Sequence, residues 1–158
     1  MATGAASSST VAGALALQFV RTQRIIHTWV DPLSTGQLWR RPFPFGNSIG
    51  HLLRHLTGNL NYYVGAQMLG TGYVRNRPLE FSEDSQATTG EVLGDFDAAI
   101  AMVLAALKEQ RPEEWSAPYQ AVGADDVHDR LSMFVRCAAH ADHHAGQMIY
   151  LSKQLTLQ

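Results

Sequence analysis

Two short runs of histidine carry most of the chemistry this chain can offer. One is His140-Ala-Asp-His143-His144-Ala-Gly-Gln147, the other His51-Leu-Leu-Arg-His55. His140 and His144 are four residues apart, as are His51 and His55. On a helix such pairs lie about 40° apart around the axis and roughly 5–6 Å apart at Cβ. Neutral imidazoles so placed can grip a divalent cation from one side. Two ligands alone make a weak site. If the two helices are neighbours, an imidazole from His51 or His55 joins the His140/His144 pair. That gives three nitrogen ligands on two rigid elements and leaves a coordination position open, the mark of a catalytic rather than a structural centre.

Asn59, Asp142, Tyr62, Tyr63 and Gln147 are placed to orient ligands or contact a bound group. His143 points roughly 60° away from His140 and reads as a flanking residue. Cys137, one turn before His140, reads first as a small core residue, with a ligand or nucleophile role as the alternative. His27 and His128 have no partner in the sequence and read as solvent-facing.

These residues need helices to position them, and the apolar periodicity supplies four. The first is expected from Ser9 or Thr10 to Val30, with Asp31-Pro32 ending it. A connector with a helical turn around Thr35 to Trp39 follows, and Pro42 and Pro44 keep the next residues extended. The second helix is expected from Ser48 to Leu69, capped by Asn47 or Ser48 and stopped by Gly70 and Gly72. Thr88 and Glu91 have capping-box spacing for a third helix, Thr89 to Gln110. The fourth is expected from Asp126 to Gln154. No strand is expected.

The second helix should be on the order of 33 Å long at 1.5 Å per residue. The polar stretch from Thr71 to Ala87 has enough residues to run back along that length. A crossover is therefore allowed, and the fold class is an all-α four-helix bundle. Residues 1–9 are small and polar and read as a disordered tail, leaving 10–158 as a single domain.

Composition narrows the function. The chain has 158 residues, 46% hydrophobic and 16% charged, with a net charge of −2, which suits one soluble domain with a sizeable core. No basic patch stands out, so nucleic acid is not an expected partner. A single cysteine excludes an internal disulfide framework and a cysteine-rich zinc site, and is compatible with a reducing cytoplasm. The apolar run from Val11 to Val20 is too short to span a bilayer, and it lacks the basic segment of a signal peptide. No glycine-rich phosphate loop is present.

The run from Asn47 to Leu56, followed by Gly58-Asn59-Leu60, resembles the second-helix signature of the DinB-like superfamily. Gln37 to Pro42 resembles that family's connector, and His140 to Leu151 its last-helix signature. The resemblance covers nearly all of the chain beyond the first ten residues. It implies an up-down-down-up bundle and a three-histidine site for a divalent metal, usually nickel or zinc. Matching motif to motif, the implied ligands are His55, His140 and His144, with His51 at a variable position. Relatives in that family include thiol-cofactor-dependent transferases and isomerases and many members with no assigned activity, and the expected activity is a metal-dependent transferase acting on a low-molecular-weight thiol and an electrophile. A non-catalytic metal-binding or stress-related module and a metal-dependent hydrolase are the alternatives. Association into a homodimer is a further expectation from such relatives.

Overall fold

Each long helix begins where a side-chain oxygen takes up a free backbone N–H. Thr10 caps Gly13, Ser48 caps His51, Thr88 caps Glu91 and Asp129 caps Ser132. Such caps contribute about 1 kcal/mol each and set where a helix starts. The computed structural model describes residues 10–83 and 87–157, so the expected tail at residues 1–9 lies outside the described residues.

The elements are α1 (Val11–Val30), α2 (Thr35–Trp39), α3 (Ile49–Leu60), a π-helical segment (Asn61–Ala66), α4 (Gln67–Leu69), α5 (Arg77–Glu80), α6 (Thr89–Glu109), a 3-10 turn (Pro112–Glu114) and α7 (Arg130–Thr156). Among the described residues no strand forms beyond an isolated bridge between Pro118 and Asp129. That bridge explains why the last helix starts at Arg130 and not at Asp126. Tyr119 donates its N–H to the His128 carbonyl, so the chain stays extended until Asp129 caps.

The second expected helix is one continuous rod built from α3, the π-helical segment and α4. The wider π turn appears beside a specific partner. The Tyr63 carbonyl accepts the Tyr119 hydroxyl at 2.8 Å, and Gly65 brings the backbone against Met102. Gly70, in the left-handed region at φ 65°, ends the rod.

Side-chain pairs fix the directions. Thr22 meets Asp142 and Trp29 meets Lys153, so α1 and α7 run parallel. His27 meets Asp97, while Thr89 near the start of α6 reaches the Leu33 carbonyl just past α1, so α6 runs against α1. His55 faces His140 and Asn59 faces Cys137, so α3 runs against α7. The course is up-down-down-up, and the stretch after α4 returns the chain along the bundle to α6. Phe19, Ile26, Leu53, Leu56, Leu60, Phe96, Ile100, Phe134 and Met148 fill the centre from all four rods. No helix among the described residues is long and apolar enough to cross a membrane.

His27 differs from its expected place in solvent. It is half-buried, with Nδ1 3.0 Å from Asp31 and Nε2 2.8 Å from Asp97, and it ties α1 to α6. His128 is exposed. Burial works against the charged His27 ring, but the hydrogen bonds to Asp97 and Asp31 outweigh it and raise its pKa above the ordinary 6.5. A raised folded pKa adds stability that is complete below the unfolded value and lost as pH rises through the folded one. His27→Gln is therefore expected to cost about 0.5–1 kcal/mol near pH 6. The cost should shrink as pH climbs above the ordinary 6.5, in urea titrations of both proteins. A cost independent of pH would mean that the ring only fills space.

Candidate metal centre

The α3–α7 contact brings three imidazoles to one point. Nitrogen atoms of His55, His140 and His144 all lie within 4.8 Å of one another. The His55 and His140 Nε2 atoms are 2.9 Å apart, and the His140 and His144 rings meet edge to face at 4.5 Å between centroids. Helix geometry explains the arrangement. His140 and His144 occupy successive turns of one face of α7, and His55 projects into the gap between them from the antiparallel α3.

Each ring is oriented from behind. His55 Nδ1 donates to Glu80 Oε2 at 2.8 Å, which leaves the Nε2 lone pair directed into the cluster. Glu80 is held in turn by Arg75, through Nε to Oε1 at 2.7 Å and Nη2 to Oε2 at 2.9 Å. The carboxylate is buried, and Gly58 makes its approach possible, because a Cβ there would overlap Glu80 Oε1. His144 Nδ1 donates to Gln147 Oε1 at 2.7 Å. Its Nε2 is buried and has no hydrogen-bond partner. A buried nitrogen lone pair without a donor is costly on its own, and a cation or a water satisfies it. The donor set fits a divalent metal of borderline softness, with carboxylate–histidine and amide–histidine support of the kind that orients metal ligands.

Electrostatics agree with that fit. Burial and the neighbouring His144 and His55 push the His140 pKa down to about 3, so the ring is neutral. Burial likewise lowers the pKa of His144, in spite of its bond to Gln147. Burial alone would raise the Glu80 pKa, but the bonds from His55 and Arg75 hold it below the usual carboxylate range. Two neutral imidazoles beside an ionised carboxylate leave the centre ready for a cation.

The other sequence candidates separate clearly. His51 stands apart from the cluster. It is fully buried, with Nδ1 2.8 Å from the Ser48 hydroxyl and Nε2 3.2 Å from the Ser82 carbonyl. It completes the capping box at the start of α3. Asp142 faces α1, where it accepts from Thr22 and Gln18. His143 is exposed and touches the cluster only through the His144 ring, at 5.1 Å. Asn59 is buried beside Cys137, and both line a small cavity of about 40 Å³ against His140. Burial pushes the Cys137 thiol up to about 12, which rules it out as a thiolate at neutral pH. Tyr63 turns its hydroxyl to the Val122 and Gly123 carbonyls, and Tyr62 packs on the Tyr63 ring. Glu80 and Arg75 escaped the sequence reading because they sit in a connector without periodicity. The usable signal was Asn76-Arg-Pro, a cap followed by proline in a first turn, which places a one-turn helix and its carboxylate.

Fold and site together describe an up-down-down-up helical bundle with a histidine triad between its second and last long helices. The family model of the DinB superfamily matches residues 18–148, and the chain belongs to that superfamily. Among solved structures it is similar to a conserved protein of Enterococcus faecalis. The likeness has a TM-score of 0.77 at 15% identity and covers 96% of this chain and 100% of that one. At that identity it bears on the fold alone. No curated protein matches the sequence.

Two outcomes test this geometry. Glu80→Gln keeps the shape but weakens the acceptor for His55, and divalent-metal affinity should fall roughly 10–100-fold in a titration. An unchanged affinity would mean that Glu80 serves only Arg75. The depressed His140 pKa should destabilise the metal-free fold in acid. Its contribution is complete above the ordinary 6.5 and is lost as pH falls towards about 3. The gap in urea midpoint between the wild type and His140→Phe should therefore change between about pH 7 and pH 4.5, with the wild type losing more.

Proposed function

We propose that the triad of His55, His140 and His144 holds a divalent metal, nickel or zinc, and that the protein is a metal-dependent thiol transferase. The observation that supports this reading is the buried, unpartnered Nε2 of His144, facing two further imidazole nitrogens with no fourth protein ligand among the described residues. A bound divalent cation with an open position lowers the pKa of a thiol and keeps it as thiolate at neutral pH.

The chain's own contribution is orientation and exclusion of water. Arg75 and Glu80 hold His55 in one tautomer, and Gln147 holds His144 in one tautomer. Phe81 packs on the His55 ring at 5.2 Å and shields it from solvent. The thiolate attacks an electrophilic carbon. With a chloro-nitroarene a carbon–sulfur bond forms, the carbon–chlorine bond breaks, and chloride leaves with its electron pair. The thiol proton passes to solvent.

The hydrolase alternative needs a free general base beside the centre. Both Glu80 oxygens are engaged by His55 and Arg75, and Asp142 is turned to α1. A transferase, which needs no such base, therefore fits better.

His55→Ala, His140→Ala and His144→Ala are each expected to lose bound metal, as read by elemental analysis of purified protein. All three should also lose turnover of a low-molecular-weight thiol with a chloro-nitroarene, by at least about a hundredfold. No rate above that of chelator-treated protein with any thiol would defeat the transferase reading. If metal were then also tightly held and its removal sharply lowered the melting temperature, a structural role would stand in its place.

A further inference from the structure

His144 is not alone among the α7 side chains in burying a polar atom without a partner. Arg136, two turns earlier, buries Nη1 with no hydrogen-bond acceptor. The rest of its guanidinium is fixed. Nη2 donates to the Gly123 carbonyl at 3.0 Å, and Cζ lies 5.5 Å from the centroid of the Tyr63 ring. Asp126 stands 3.7 Å from Nη2, but it is 71% exposed and does not reach Nη1. A buried cationic N–H without an acceptor is costlier than a neutral one, and an oxygen of a water or of a ligand satisfies it.

Arg136 lines the cavity of about 40 Å³ that also touches Asn59, Met133, Cys137 and His140. Two observations tie this cavity to the triad. Arg136 and His140 are four residues apart on α7, and a long side chain on a helix lies over the turn N-terminal to its own Cα. The His140 ring therefore covers the turn that carries Arg136 and Cys137. On the facing α3, Asn59 stands one turn beyond His55. The cavity thus lies one turn along from the point where the His55 and His140 Nε2 atoms come to 2.9 Å.

Size and polarity say what the cavity takes. One water needs roughly 10–15 Å³, so 40 Å³ holds about three oxygen-sized atoms, the size of a carboxylate group. Its free polar groups are donors. Asn59 Oδ1 accepts from Cys137 Sγ at 4.0 Å, which leaves the amide N–H groups of Asn59 for a ligand. Among the described residues no carboxylate lines the cavity. The Arg136 side chain is 35% exposed, so one edge of the site meets solvent and admits a ligand. A planar guanidinium held on one side and open on the other matches a carboxylate oxygen in geometry and charge.

We propose that Arg136 and Asn59 form a carboxylate subsite one helical turn from His140, and that the thiol accepted at the centre carries a carboxylate. The second clause rests on the transferase reading, while the subsite stands on its own geometry. One turn is about 5.4 Å along the axis, a span that a thiol with a two-carbon spacer covers. A neutral thiol leaves Arg136 Nη1 to water and gains nothing from the subsite.

The test uses the full chain as purified and two thiols of equal length, 3-mercaptopropionate and 3-mercaptopropanol, compared by calorimetric titration. The wild type should bind the acid about tenfold more tightly than the alcohol. Arg136→Gln should bring the two within about twofold, with bound metal unchanged by elemental analysis, and Arg136→Lys, which keeps the charge, should retain part of the preference. A second arm needs no thiol. Propionate, titrated against chloride at equal ionic strength, should shift the Asn59 side-chain amide in NMR spectra, and the shift should vanish in Arg136→Gln. An Asn59 amide that propionate leaves unmoved or that chloride moves equally, or an acid preference that survives Arg136→Gln, would overturn the subsite. Equal binding of acid and alcohol by the wild type would overturn the carboxylate-bearing thiol. Propionate bound at Asn59 with neither thiol bound would instead count against the transferase reading and leave the subsite standing.

Discussion

The pairing of half-buried Arg75 with buried Glu80 is the interaction on which the centre depends. A carboxylate inside a helical bundle is expensive unless it is fully matched. Here one oxygen takes Arg75 Nε, and the other takes Arg75 Nη2 and His55 Nδ1. That arrangement leaves His55 one way to face, with Nε2 towards α7. It also ties the connector after α4 down onto α3, so a stretch without helical periodicity carries the support of the site. Gly58 and the one-turn α5 exist within the same constraint, the first by leaving room for the carboxylate and the second by presenting it.

The topology follows a related logic. Metal-type ligands must come from facing helices, and the i, i+4 pair on α7 needs a third group at the height of the gap between its turns. An antiparallel α3 supplies it. The return of the chain along the bundle, from α4 to α6, lets α3 and α7 be neighbours while α1 and α6 close the opposite side. Asp142, on the other face of α7, binds Thr22 and Gln18 of α1 and fixes the rotation of α7 about its axis. The same rotation aims His140 and His144 at His55.

Much of this was legible in the residues. Apolar spacing and caps located the four rods, since Ser48, Thr88 and the Gly70 stop are local signals with local causes. The choice between His51 and His55 was not open to spacing, because both sit on one ridge. It became readable only through motif resemblance, although Ser48 three residues before His51 hinted that this ring would be drawn into the helix cap. Asp142 and His27 differ from their expected places for one reason: Thr22 and Gln18 for the first, and Asp97 for the second, lie on another helix, and sequence distance hides them. The π turn near Tyr63 was equally hidden, since it depends on Tyr119 and Met102 from elsewhere in the chain. Glu80 and Arg75 lay in a stretch whose polarity reads as a plain loop.

The most direct measurement of the central claim is X-ray absorption at the edge of the bound metal, before and after addition of a thiol. The expected first state is three imidazole nitrogens at about 2.0–2.1 Å with a light-atom neighbour and no sulfur. Thiol should then add one sulfur at about 2.3 Å without displacing the imidazoles. A fourth protein ligand in the first state, or a shell that thiol leaves unchanged, would contradict an open three-histidine centre that activates thiols.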